Sequence, residues 1–288
     1  MKRMKAFYHS PAPQLAPYIH HYFVYAMDRA TVRQVFPRGM HILPTAHGKM
    51  GIFFGTPTVK RMSGRAETQN PQIGFSGFYN RPVYYHTDFA ASMIIVTFTP
   101  VGLQQMLQFS LAEISNCNLD VRDASAGDHD FLCNEMFSTE DWSSRIRMLD
   151  EFFFHKFREV EFPERAAHIA GYIMKTGGDK PIKSICSELG IGERTLQRTF
   201  LNGLGVTPKA FSKLVRFQRA VKVMAGAPGR SLTDISYSLG YFDQAHFIRE
   251  FKSLYGASPR VFIRRRQSEA GMALEAHKSS LAVPATVS

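Results

Sequence analysis

Arg194, Gln197 and Arg198 stand in the run ERTLQRTF, whose large apolar members Leu196 and Phe200 lie four positions apart. Coiled as a helix with Leu196 and Phe200 inward, the run turns Arg194, Gln197 and Arg198 to the opposite side, with Thr195 beside them. An arginine fork grips the edge of guanine through two hydrogen bonds, and a glutamine amide does the same for adenine. A second run, DQAHFIREF, puts Phe247 and Phe251 inward and Gln244, Ala245, His246 and Arg249 outward. Arg198 and Arg249 correspond when the second run is displaced by fifty-one positions. A lone surface arginine is ordinarily a solvated charge. A matched pair on two related helices is a candidate base-reading device.

The elements that would hold these side chains are repeated. Residues 182–211 read IKSICSELGIGERTLQRTFLNGLGVTPKAF, and residues 232–262 read LTDISYSLGYFDQAHFIREFKSLYGASPRVF. At a displacement of fifty, Ile185 meets Ile235, Leu189 meets Leu239 and Gly190 meets Gly240. One residue then enters the second copy, after which Phe200 meets Phe251, Gly205 meets Gly256, Pro208 meets Pro259 and Phe211 meets Phe262. A shared frame of glycine, proline and apolar positions is the trace of a duplicated supersecondary unit. Each copy predicts a helix, a stop at Gly190 or Gly240, a short turn and a second helix, with Asp243 as N-cap of the last. Two helices joined this way form the unit whose second helix enters a major groove. A pair of helical hairpins that only packs is the competing reading, and duplication disfavours it.

The repeat resembles the DNA-binding domain of the AraC/XylS family of bacterial transcription regulators over residues 165–266. The resemblance is carried by ISYSLGYFDQAHFIREFKSLYGASPRVFIRRR and by ICSELGIGERTLQRTFLNGLGVTPKAF. It implies seven helices: an opening helix, a helix-turn-helix, a long connecting helix, a second helix-turn-helix and a closing helix. It also implies two reading helices in successive major grooves, one helical turn apart. Ala245 departs from the pattern, since many relatives carry a polar base-reading side chain there. Residues 1–125 resemble more loosely the β-rich N-terminal domain of some members, through PQLAPYIHHYFVY, FPRGMHILP and IVTFTPVGLQQML. That implies only a role, sensing a small molecule or carrying a dimer contact; the ligand is unknown.

Charge supports the assignment. The net charge is +11, of which residues 1–160 supply +2 and residues 161–288 supply +9. A basic half beside a near-neutral half suits a polyanion-binding domain joined to something else. Basic charge alone would equally suit RNA or a membrane surface. Three cysteines, Cys117, Cys133 and Cys186, show no CxxC spacing, so neither a disulfide framework nor a zinc site is predicted. The basic start lacks the apolar run of a signal peptide, and no stretch is apolar for long enough to span a bilayer. No GxSxG, GxxxxGK[ST] or strand-borne GxGxxG occurs, so nothing points to an enzyme.

The first half predicts strands in PYIHHYFVYAM, in VFPRGMHILPTAHGKMGIFFG and in residues 93–98, with a turn over residues 28–33. A helix is expected in GLQQMLQFSLAEI. Another is expected over residues 141–159, free to pack on the domain, to join the halves or to pair two subunits. His20 and His21 are adjacent, so on a regular strand they face opposite ways, and no metal site is expected. Phe75, Phe78, Tyr79, Tyr84, Tyr85 and Phe89 either fill a core or dimer face or line an apolar pocket. On the connecting helix, Lys213, Arg216, Arg219 and Lys222 fall on the more solvated side, and Arg264, Arg265 and Arg266 close the basic half.

The expected fold class is α+β in two domains. Residues 1–160 form a small barrel-like β-rich domain with a few helices. Residues 161–267 form an all-α domain of two helix-turn-helix units joined by a long helix, and residues 268–288 a disordered tail. The expected function is a cytoplasmic, sequence-specific regulator binding double-stranded DNA, without catalysis, cofactor, metal or membrane contact. Arg194, Thr195, Gln197, Arg198, Gln244, Ala245, His246 and Arg249 are its candidate contacts. RNA polymerase, a small-molecule effector and a second copy of the chain are the further partners this allows. A metal-binding or enzymatic sensor barrel fused to a DNA-binding domain is the alternative.

Overall fold

The computed structural model describes residues 5–35, 40–55, 58–62, 67–86, 91–107, 109–226 and 229–268. Phe89 and the expected tail lie outside the described residues, apart from Ser268.

The first half builds two antiparallel sheets from the β-branched and aromatic runs. One contains β1 (Lys5–His9), β2 (Ile19–Met27), β4 (Lys49–Phe53), β7 (Ile73–Ser76), β9 (Ala91–Phe98) and β10 (Asn118–Asp120), ordered β1-β2-β9-β4-β7-β10. The other contains β3 (Met40–Ile42), β5 (Val59–Met62), β6 (Thr68–Gln69) and β8 (Val83–His86), ordered β3-β8-β5-β6. Alternation along β2 gives the larger sheet two different faces. Tyr22 and Val24, with Met50, Ile52, Ile94 and Val96, enter the main core, while Phe23, Tyr25 and Met27 join Phe53 and Met93 in a second cluster. On the second face, register aligns His21, Thr97, Lys49, Ser76 and Asn118 as one polar row across five strands. The smaller sheet reaches that row through the Tyr85 hydroxyl, which bonds Asn118 as the Tyr79 hydroxyl of the preceding loop also does; beside the row, Lys60 Nζ donates to the Asn116 carbonyl at 3.1 Å.

Two expectations at β2 and its end are corrected. Residues 28–33 are no turn, because α1 (Arg29–Val35) begins there, with Asp28 Oδ1 accepting from Thr31 N at 2.8 Å. An aspartate at the N-cap satisfies a first-turn amide and starts the helix that the following polar residues continue. His20 and His21 do not diverge, because the register of β2 slips between Ile19 and His21. The inserted residue bends the strand, so the two Nδ1 atoms lie 2.6 Å apart and the His47 ring lies 5.3 Å from that of His20. Burial pushes His21 and His47 down to about 3, with His20 and Lys49 adding repulsion.

The helix expected in GLQQMLQFSLAEI is broken. α2 (Gly102–Met106) ends where Leu107 turns extended, and a separate 3-10 turn covers Leu111–Ile114. After α3 (Val121–Ala124) and α4 (Ala126–Phe137), α5 (Trp142–Phe157) packs on the sheet. Its Asp150 accepts from Tyr22 Oη at 2.7 Å and Ala12 N at 3.2 Å, Phe153 meets Phe98 edge-on, and Phe157 stacks on Tyr18 at 4.1 Å. Of the three roles open to this segment, packing on the first half is the one observed.

The second half is helical: α6 (Glu164–Lys175), α7 (Ile182–Leu189), α8 (Glu193–Leu204), α9 (Pro208–Gly226), α10 (Leu232–Ser238), α11 (Gln244–Tyr255) and α12 (Pro259–Ser268). These match the helices implied by the resemblance, in the same order. Buried apolar residues of both halves, from Leu15 to Phe262, form one continuous cluster. Across it, Phe78 meets Phe211 edge-on, His41 packs on Tyr255 at 4.6 Å, and Gln218 Oε1 accepts from Ala46 N at 3.2 Å.

Candidate nucleic-acid interface

Local rules shape both units alike. Each first helix ends at a glycine with left-handed backbone, Gly190 at φ 62° and Gly240 at φ 75°, a conformation open to glycine at little cost. The second helix of each unit then starts from an extended N-cap residue, Gly192 for α8 and Asp243 for α11, whose Oδ1 accepts from His246 N at 2.6 Å. Each of these helices buries phenylalanines or leucine on one side: Leu196 and Phe200 in α8, Phe247 and Phe251 in α11. A second pair of matched glycines, Gly205 and Gly256, caps the far ends in left-handed backbone. Both press on the first half of the chain. A Cβ on Gly205 would lie 2.6 Å from Ala112 N, and one on Gly256 2.7 Å from the Pro82 ring.

With those faces buried, Arg194, Gln197 and Arg198 are exposed on α8, and Thr195 is half-buried beside them. On α11, Ala245, His246 and Arg249 are exposed. Gln244 is half-buried, and its Oε1 accepts from Thr233 Oγ1 at 2.9 Å, which ties it to α10. His246 sets its ring edge-on to Tyr241 at 5.3 Å. The first unit thus presents three long polar side chains, and the second one arginine, one histidine and a methyl group.

The connecting helix is fastened to the second unit by charge. Arg216 holds Glu250 through two hydrogen bonds, Nε to Oε1 and Nη2 to Oε2, each 3.0 Å, and both side chains are largely buried. Tyr241 Oη donates to the same carboxylate at 2.6 Å, and the guanidinium lies over the Tyr241 ring. Burial, then Glu250, pushes the Tyr241 hydroxyl well above the usual phenol range. Arg219 donates to the Ser238 carbonyl at 3.1 Å and lies 3.5 Å from Asp179. Arg216 and Arg219 are therefore structural, which corrects the reading that put them on the more solvated side of this helix. Arg265 bonds Tyr255 and Tyr84, leaving Arg264 as the exposed member of that run among the described side chains.

Sequence reasoning missed Phe242. It precedes the Asp243 cap and is 88% exposed. The signal was the extra residue of the second copy, which falls in this turn. Of the aromatic group considered as a pocket, Phe75 and Phe78 lie in the core, Tyr79 and Tyr85 bond Asn118, and Tyr84 stacks on His41. Among the described residues, no group of three or more His, Cys, Asp or Glu side chains is placed to hold a metal ion, and no helix is long and apolar enough to cross a membrane.

Two family models match separate stretches of the chain. Residues 185–265 match the model of a helix-turn-helix domain, and residues 8–120 that of a domain of unknown function, DUF6597. The chain is 31% identical over 85 residues to the probable thc operon regulatory protein of Rhodococcus erythropolis, covering 29% of this chain and 26% of that protein. It is 27% identical over 94 residues to the HTH-type transcriptional regulator MtrA of Neisseria gonorrhoeae, covering 31% of each. The matched stretch thus spans about a third or less of these relatives' own length. ToxT of Vibrio cholerae aligns over 94% of this chain and 98% of its own, at 13% identity and a TM-score of 0.46. The chain thus carries a helix-turn-helix domain over residues 185–265, preceded by a domain of the DUF6597 kind over residues 8–120.

Proposed function

We propose that this chain is a sequence-specific, DNA-binding transcription regulator of the cytoplasm that performs no covalent chemistry. The observation that carries the reading is the duplication itself: two helices, each buried on one side, turn Arg198 and Arg249 into solvent at matched positions. In this reading Arg194, Thr195, Gln197 and Arg198 engage one major-groove segment. Ala245, His246 and Arg249 engage the next, and Gln244 joins them only by leaving Thr233. Exposed cations such as Lys222, Lys252, Arg260 and Arg264 hold phosphates and supply the salt-dependent part of the affinity. Residues 161–267 are the DNA-binding domain, and residues 1–160 sense an effector or pair two copies of the chain. RNA polymerase is the further partner an activator of this kind would contact.

What supports a sensing role is the second face of the larger sheet. The row of His21, Thr97, Lys49, Ser76 and Asn118 borders an apolar region of Phe23, Phe53 and Met93. His21 Nε2 and Tyr25 Oη are buried there without a hydrogen-bond partner. Buried polar atoms without partners are costly, and a ligand that meets them recovers that cost.

The test is selection of genomic fragments bound by the full chain, repeated with Arg198→Ala/Arg249→Ala. An enriched motif of two short blocks one helical turn apart, lost in the double variant, is expected. Binding without a motif, falling only as salt rises, would leave backbone grip alone and refute sequence-specific reading.

A further inference from the structure

The two units are unequal copies, and the inequality falls on their outward faces. Gly190 and Ile191 pair with Gly240 and Tyr241 at a displacement of fifty, whereas the caps Gly192 and Asp243 pair at fifty-one. The added residue of the second unit is therefore Phe242. A large apolar residue just ahead of an N-cap ordinarily folds back over the first turn of its helix. Tyr241 does that packing instead, its ring 5.2 Å from Phe247 and its hydroxyl on Glu250. Phe242 is left 88% exposed.

A second difference lies two residues into the helix. At a displacement of fifty-one, Ala245 stands where the first unit has Arg194, and both are exposed. Gln244, the polar side chain between them, is turned to Thr233. The start of α11 thus offers a phenyl ring that has no counterpart in the first unit, and a methyl group where the start of α8 offers a guanidinium. The start of the second helix is the part of such a unit that meets base edges. In the major groove, the apolar group that a base pair displays is the C5 methyl of thymine, and alanine and phenylalanine are side chains that contact it.

We infer that the second unit reads thymine methyl groups through Phe242 and Ala245, with Arg249 one turn further along α11 gripping a purine edge. The first unit reads through hydrogen bonds from Arg194, Gln197 and Arg198. This rests on the DNA-reading function proposed above and specifies which bases its second half selects.

The test uses the full chain and the duplex recovered by fragment selection, with each thymine replaced singly by deoxyuridine, which removes the methyl group alone. The block read by the second unit is the one whose base preference disappears in Arg249→Ala. One or two thymines in that block should respond, each replacement weakening binding about fourfold, the worth of one buried methyl. Phe242→Ala should bind the thymine duplex more weakly and respond less to deoxyuridine in that block. Phe242 is exposed, so the variant should keep its helical circular dichroism; the deoxyuridine series on the unchanged protein stands whether or not it does. If binding stays motif-specific and sensitive to Arg198→Ala while every deoxyuridine duplex binds like its parent, the methyl reading is wrong and the regulator stands. If a folded Phe242→Ala variant discriminates as before, Phe242 has some other partner, such as a protein surface, and the inference also falls. If no motif is recovered at all, the regulator reading fails and this inference with it.

Discussion

Arg198 is exposed on α8 with Leu196 and Phe200 buried behind it, so its removal should cost binding and leave folding alone. We expect Arg198→Ala to lose about 1–3 kcal/mol on the selected site and far less on unrelated DNA, measured by titration at fixed salt. The histidines make a prediction of a different kind. His21 and His47 are held down to about 3 by burial and their neighbours, and His20 is also lowered by burial. Between the ordinary value of about 6.5 and that lower one, the unfolded chain holds the more protons, so stability falls as pH falls. The melting temperature should drop from pH 7 to pH 5, and His21→Gln/His47→Gln should flatten the slope; an unchanged slope would show that these imidazoles titrate normally. The outward arginines could be placed from the sequence because two apolar residues four apart fix the inward side of a short helix. The environment of the histidines could not, since a slip in strand register is invisible in local composition.

At the level of elements, the caps and the connecting helix invite comparison. Gly205 combines φ 69° with a backbone amide in the way of any Cβ, so Gly205→Ala should destabilise the chain by about 1–3 kcal/mol in urea unfolding. Gly171, inside α6 with open space around its Cα, is the control: Gly171→Ala should stabilise by about 0.5–1 kcal/mol. Glu250→Ala leaves Arg216 in a largely buried site without its carboxylate, and about 3 kcal/mol of stability should go with it. The helical elements were readable because glycine, proline and the 3.6-residue period are local signals. Arg216 and Arg219 were misread for the same reason: on a helical wheel they look solvated, and only the packing of α10 and α11 against α9 gives them partners.

For the molecule as a whole, the single apolar cluster that joins both halves predicts one cooperative transition, with tryptophan fluorescence and far-ultraviolet circular dichroism melting together. Two separated melts would mean that the halves share little stability. The sequence revealed the division into a β-rich and a helical half through the change of period and the concentration of charge. Strand order stayed hidden, because β2 pairs with β9 and β4 pairs with both β7 and β9, contacts that no local pattern specifies.

The matched glycines Gly205 and Gly256 carry a last consequence. Both reading helices end against the first half of the chain, one at Leu111 and Ala112 and the other at Pro82, while α9 spans between them. The gap between the helices is therefore fixed twice, once along α9 and once across the β-rich half. If the proposed DNA reading holds, a protein gauged in this way accepts a single separation of its two DNA blocks. One inserted base pair, about 3.4 Å of rise, would force both helix ends to lift from their seats together.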